Sequence, residues 1–316
     1  MTKENLRFLN PVDLKGRVSA SARIRMVTPS RGMEKLGFDG GFNKPTNSDS
    51  IGVIMKTSTN LLNTKCKKIV WDVCDNYFSD RRRSQAIELL KKCDAVTTTT
   101  DRLKKVIEEE CKKLKIEKKI FIIDDPVFYD FNEPSFSPKD ILKVTWYGND
   151  GNLQYADWKK LVFGPLAERQ NELPPIKFTV INRNGTMPAG VGSLNGEYRN
   201  VKWTEKIQKI ITTKSDFIIL PIDPEHPFTL GKSHNKLVDG LACGTMVLAS
   251  PQDSYLKFSD YAYVNDNFVD NMIECLKNPA QTLERIRLGQ EYIQQNLSDI
   301  NIAKQWIEVV KELSND

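Results

Sequence analysis

The chain has 316 residues, 40% of them apolar and 28% charged, with a mean hydropathy of −0.44. That length suits two domains of about 100–200 residues each, and the composition excludes a disordered chain. No run of about 18 uncharged apolar residues occurs, which excludes a transmembrane helix. The opening Met1 to Leu6 has no signal-peptide apolar region. The net charge of +5 is uneven. Residues 1–140 hold 27 basic and 20 acidic side chains, a balance of +7; residues 141–316 hold 19 and 21, a balance of −2. Six cysteines, at 66, 74, 93, 111, 243 and 275, form no CxxC pair, and only two histidines are present, so no structural metal site is expected. Unpatterned cysteines without an export signal predict a cytoplasmic protein.

Strand-like and helix-like segments alternate, which predicts an α/β chain with parallel sheets. In the first half the pattern gives a helix over 21–36, strands at 51–55 and 68–73, and a helix over 79–92. A strand at 95–99, a helix over 101–115 and a strand at 119–123 follow. Asp101 is the expected cap of the 101–115 helix, with Leu103, Ile107 and Cys111 on its buried face. The prolines and serines of 134–138 read as a linker. Alternation restarts with a strand at 143–147 that ends in Gly148-Asn149-Asp150-Gly151. A helix over 156–169, a strand at 176–181 and a Gly- and Asn-rich loop over 182–200 come next. Helices over 205–213, 233–243 and 268–277 alternate with strands at 216–221 and 245–249. A last helix over 301–313 sets Ile302, Trp306, Val309, Val310 and Leu313 on one face, which needs a partner surface. The expected fold is two doubly wound Rossmann-like domains, 1–133 and 139–316, facing a central cleft, with ligands at the carboxyl ends of the strands.

The segment Lys232-Ser233-His234-Asn235-Lys236 opens a helix and leads through Asp239 to Gly244 and a buried strand. A helix N-terminus offers free N–H groups and the positive end of a dipole, both suited to a phosphate. Lys232 and Lys236 add full charges, and the Asp239 carboxylate can accept from a ribose diol. The alternative is an ordinary helix–strand unit with solvated lysines and a surface Asp.

Asp239, Ala242-Cys243-Gly244-Thr245, Val247 and Ala249-Ser250 together resemble the C-terminal domain of GT-B nucleotide-sugar glycosyltransferases, especially the family-4-like group. The runs Val201-Lys202-Trp203-Thr204, Asp216 to Pro221 and Ser250 to Tyr255 agree in order, so the likeness covers roughly 141–316. The first domain is similar more loosely, through Ser19 to Arg25, Trp71 to Asn76 and Asp124-Asp125-Pro126. The resemblance implies a C-terminal donor-binding domain whose last helix packs across, and an N-terminal acceptor-side domain. It departs from the family pattern of two glutamates eight positions apart: Gly231 stands at the first and Asp239 at the second.

The resemblance implies transfer of a sugar from a nucleoside-diphosphate sugar to an acceptor hydroxyl. The donor-binding candidates are Gly148, Arg183, Lys232, Ser233, His234, Asn235, Lys236 and Asp239. Charge building on the leaving diphosphate would be met by the helix end and lysines, so no metal and no obligatory cofactor is expected; no Asp-x-Asp motif occurs. An inverting enzyme needs a general base, for which Asp72 and Asp75 are the candidates, with a loop or cap role as the alternative. Arg23, Arg25, Arg81 and Arg82 are the candidates for an acceptor or phosphate. The basic first half suggests an anionic acceptor. A lipid-linked glycan at a membrane surface, touched peripherally, is one; a hydroxymethylated base in DNA, as in phage-type GT-B enzymes, is another. A nucleotide-sugar binding module that has lost catalysis, and a basic nucleic-acid binder, are the non-enzyme alternatives.

Overall fold

The computed structural model describes residues 5–9, 19–42, 44–137, 140–194 and 196–315. The chain divides into two compact units. Unit one comprises Met1–Phe128, Pro227–Ser233 and Gln294–Asp316; unit two comprises Tyr129–His226 and His234–Ile293. The division therefore leaves the first unit at 128, and two later segments return to it.

Unit one holds β1 (Asn5–Leu9), α1 (Ala20–Ala22), α2 (Thr28–Lys35), β2 (Gly40–Phe42), β3 (Ser50–Met55), β4 (Lys68–Val73), α3 (Arg83–Lys92), β5 (Ala95–Thr98), α4 (Asp101–Leu114) and β6 (Lys119–Ile122). A π-helical turn, Arg23–Val27, joins α1 to α2. All pairings are parallel, in the order β2-β1-β3-β4-β5-β6. The central strands read as nearly continuous apolar runs because both faces are covered. On one face Trp71, Val73, Leu89, Leu90, Leu103 and Ile107 form the core. Thr100, one residue earlier than expected, caps α4: its hydroxyl accepts from the Leu103 N–H at 3.1 Å. Asp101 instead is the first helical residue, where its charge suits the dipole.

Unit two holds β7 (Leu142–Tyr147), α5 (Gly164–Glu168), β8 (Ile176–Asn182), β9 (Gly196–Lys202), α6 (Glu205–Thr213), β10 (Phe217–Leu220), α7 (Asn235–Ala242), β11 (Met246–Ala249), α8 (Asp253–Leu256), β12 (Tyr263–Val264) and α9 (Phe268–Lys277). Then come α10 (Pro279–Asn296) and, in unit one, α11 (Asp299–Ser314). The sheet is again all parallel, ordered β12-β11-β10-β7-β8-β9. Residues 196–200, expected as the end of a loop, belong to the edge strand β9. Glu197, Tyr198 and Arg199 there are exposed, so no apolar alternation marks the strand. The expected linker is packed on unit two: the Phe136 ring lies 5.4 Å from that of Phe217, and the Ser135 N–H donates to the Gly244 carbonyl. Pro138, its last residue, lies outside the described residues.

The apolar stripe of α11 finds its partner within unit one. Ile302, Trp306, Val309, Val310 and Leu313 are buried, and Trp306 meets Phe8 edge to face at 5.1 Å. The helix lies against α2, where a Cβ on Gly32 would sit 2.1 Å from the Asp299 carbonyl oxygen and 2.9 Å from Ala303 Cβ. Gly32→Ala is therefore expected to lower stability by about 1–3 kcal/mol. An unchanged urea midpoint would contradict this packing.

Candidate active site

In unit two the chain reverses direction at β7, building β8 and β9 on one side and β10 to β12 on the other. Doubly wound sheets bind ligands in the crevice at such a switch point, outside the carboxyl ends of the strands. Two segments meet there. Gly148 follows β7, and α7 follows β10. The N-cap His234 makes no side-chain capping bond to α7. Lys236 in that turn holds its Nζ 4.9 Å from the Trp146 ring centre, and a Cβ at position 148 would lie 2.7 Å from the same Nζ. Gly148 thus leaves room for the ammonium. Tyr147 Oη donates to the Lys236 carbonyl at 2.6 Å, fixing the helix start against β7. Burial first, and the nearby Asp239 carboxylate second, push the Tyr147 phenol well above its ordinary range, so it stays a donor.

Asp239 is half-buried one turn into α7, after Asn235 and Lys236, which are also half-buried. A dipole end, an ammonium and a carboxylate in this order suit a diphosphate followed by a ribose diol. His234 is 1% exposed with its ring 5.4 Å from that of Phe258. Arg183 is exposed beyond β8, its guanidinium 5.5 Å over the Trp203 ring. The most recognisable residues of the segment are structural. Gly244 has φ of +78°, and a Cβ there would lie 2.6 Å from the Glu133 carbonyl oxygen. Cys243 is buried, and Thr245 Oγ1 donates to the Thr212 carbonyl at 2.6 Å. Together they make the turn from α7 into β11.

At the carboxyl end of β4 in unit one, Asp72 is fully buried. Arg25 Nη2 donates to its Oδ1 at 2.5 Å and Nε to its Oδ2 at 3.1 Å, while Thr97 Oγ1 donates to Oδ1 at 2.7 Å. Arg25 Nη1 also reaches Asp125 Oδ1 at 2.9 Å and the Ile123 carbonyl at 2.6 Å. Burial alone would lower the guanidinium's pKa, but the Asp72 and Asp125 charges outweigh it and raise it. Two expectations are corrected here. Asp72 is not a base, because both oxygens are taken, and Arg25 is not a ligand for an acceptor, because it is 2% exposed and clamps two carboxylates.

Asp75, half-buried, accepts from Lys232 Nζ at 3.0 Å, and that ammonium lies 4.3 Å from the Phe228 ring centre. Asn76 Nδ2 donates to the Pro227 carbonyl at 3.0 Å. These bonds tie 227–233 to unit one, so Lys232 and Ser233 belong there while Asn235, Lys236 and Asp239 belong to unit two. Of the other arginines, Arg23 lies 4.9 Å over the Phe128 ring, Arg82 pairs with Asp80 and covers Tyr77, and Arg81 is exposed. Sequence reasoning passed over Lys56. It follows β3 with φ of +60°, and its Nζ is 3.4 Å from Ser19 Oγ. Only a left-handed non-glycine would have betrayed it, and that is invisible in a sequence. Among the described residues no group of three His, Cys, Asp or Glu side chains is arranged to hold a metal.

Gly231 explains the missing acidic residue. A Cβ there would lie 2.9 Å from Leu103 Cβ on α4. Gly231→Glu is expected to loosen the 227–233 segment without strengthening nucleotide-sugar binding. Faster proteolysis of that segment with unchanged or weaker affinity is the result to look for; tighter binding would contradict it.

Two six-stranded parallel sheets, each wound on both sides by helices, and a last helix that returns to the first unit define the GT-B fold of glycosyltransferases. No protein-family model and no curated protein matches the sequence. Solved structures do match in fold. TarM aligns with TM-score 0.61 at 14% identity over 89% of this chain and 57% of its own. HepE of Anabaena, solved in complex with UDP-glucose, aligns with TM-score 0.61 at 11% identity over 98% of this chain and 99% of its own. Trehalose-6-phosphate synthase OtsA aligns with TM-score 0.58 at 12% identity over 90% and 75%. The chain thus spans little over half of TarM, and likewise 58% of GtfA/B, but nearly all of HepE.

Proposed function

We propose that this protein is a glycosyltransferase that takes a sugar from a nucleoside-diphosphate donor and passes it to a saccharide hydroxyl. The observation that supports this most is the switch point of unit two, where the first turn of α7 sets Lys236 against Gly148 and Asp239 follows one turn later on the same helix. The diphosphate would lie on the helix end and Lys236, and the ribose diol would bind Asp239. As the glycosidic bond to phosphate breaks, negative charge grows on the leaving diphosphate. Donors already aimed there stabilise it without reorganisation. HepE in complex with UDP-glucose supports a uridine donor in this reading.

The chemistry rests on an ammonium and backbone N–H groups, so transfer is expected to survive excess EDTA. Complete loss that manganese restores would contradict this. Asp72 is clamped and Asp75 is held by Lys232, which favours a mechanism without a carboxylate base and hence retention at the anomeric carbon. NMR of the product's anomeric proton tests this.

A second reading, binding without transfer, is favoured by Gly231, whose place against Leu103 leaves no room for the acidic side chain that family members carry. Incubation with donor and a panel of saccharide acceptors separates the two: donor consumption supports transfer, and intact donor with tight binding supports a binding module.

A further inference from the structure

The edges of the two sheets differ in what they offer to another strand. The edge strands β2, β6 and β12 are three, four and two residues long. The edge strand β9 has seven residues and pairs with Ile176–Asn182 of β8 in unbroken register. An edge strand presents a row of open N–H and C=O groups, which template pairing with another chain. Brevity, a bulge or a proline usually blunts such an edge. The other three edges are short, whereas β9 is long, carries no proline and runs without a bulge. Among the described residues its main chain has no hydrogen-bonded partner but β8. Both of its faces are open as well: Glu197, Tyr198 and Arg199 are exposed, Tyr198 by 52%.

Charges can also guard an edge, most simply as lysines. Here both signs stand two residues apart around a tyrosine, and that order is self-complementary. Side chains alternate between the faces of a strand, so Glu197 and Arg199 share one face. Residues directly opposite each other in an antiparallel pair lie on the same face. A two-fold axis normal to the sheet therefore passes through one residue and its copy. Centred on Glu197 or on Arg199, the pairing opposes like charges. Centred on Tyr198, it opposes Glu197 to Arg199 of a second copy, and Arg199 to Glu197 of that copy, with the two tyrosines side by side. The row across the strands then alternates in sign. Lys177 on β8 already holds Glu197 at 2.6 Å, and Arg199 Nε donates to Thr179 Oγ1 on β8 at 3.3 Å.

We infer that β9 pairs antiparallel with β9 of a second copy of this chain, centred on Tyr198, and so joins two six-stranded sheets into one. The contact is isologous and closes on itself, which suits a dimer. It is independent of the glycosyltransferase reading, since β9 carries none of the donor-site residues.

A single strand pair is a small interface, below about 1,200 Å² in total, and interfaces of that size are transient. The test is therefore sedimentation velocity of the full chain over roughly 1–200 μM, where a rise from monomer towards dimer is expected. Opposite charges facing across strands favour pairing and like charges oppose it. Glu197→Arg and Arg199→Glu should each dimerise about ten- to a hundredfold more weakly than the parent, with little change in melting temperature. Mixed one to one, the two variants face unlike charges again and should associate about as well as the parent. Lys277→Glu, exposed at the end of α9, should dimerise as the parent does. A parent that stays monomeric leaves the edge to a strand of another protein and overturns the inference. Single variants that dimerise like the parent, or a mixture that stays monomeric, overturn it too.

Discussion

Arg25→Met is expected to destabilise unit one by about 3–5 kcal/mol, because it leaves two buried carboxylates without their counter-charge. Asp72 and Asp125 both accept from this one guanidinium, and neither is more than 2% exposed. Removing Arg25 strands two like charges in a site that water does not reach, and the cost exceeds the lost packing. For a unit of this size the melting temperature should fall by about 10 °C. Adding Asp72→Asn and Asp125→Asn removes the stranded charges and should recover much of the loss. Urea unfolding of the single and triple variants decides the matter. A single variant within about 1 kcal/mol of the parent would contradict the clamp and reopen Asp72 as a chemical group.

Lys236→Ala and Asp239→Ala are each expected to weaken nucleotide-sugar binding by about 10- to 100-fold. A hydrogen bond to a charged group contributes roughly 1.5–3 kcal/mol, and each substitution removes one from a partly buried site. Neither should unfold the protein, because both side chains are only half-buried and Tyr147 holds the helix start through a carbonyl that the substitutions keep. Lys232→Ala is the informative comparison. Its ammonium is engaged by Asp75, so its effect on affinity should be smaller than that of Lys236→Ala. Titration calorimetry with the parent and the three variants gives the ranking. Equal affinity in Lys236→Ala and Asp239→Ala would remove the donor site from α7.

Much of the fold was legible because parallel sheets write themselves as local apolar runs. The strand at 68–73 and the helices over 205–213 and 268–277 fall where periodicity put them. The turn at Gly244 was legible too, since only a glycine tolerates that φ against a neighbouring carbonyl. What was hidden is what depends on distant partners. Arg25 meets Asp72 and Asp125 across 47 and 100 residues, and no spacing rule reveals such a clamp. The short edge strands β2 and β12 are too brief to show a period, and β9 is exposed and polar. The charge was legible in amount but not in place. The sum over 1–140 cannot tell which end of a sheet the basic residues stand on: Lys56, Arg81 to Arg83 and Lys104-Lys105 follow the carboxyl ends of β3, β4 and β5, whereas Lys65, Lys67, Lys91 and Lys115 stand at the opposite ends.

Thermal shift of the full chain against a panel of nucleoside-diphosphate sugars tests the donor site of unit two. A ligand at a hundred times its Kd stabilises the state it binds by about 2.7 kcal/mol, enough for a clear rise in melting temperature. Such a rise is expected with the sugars of one nucleoside diphosphate, and is expected to be lost in the double variant Lys236→Ala, Asp239→Ala. A folded parent that shows no shift with any member of the panel at millimolar concentration, or a double variant that shifts as the parent does, would contradict it.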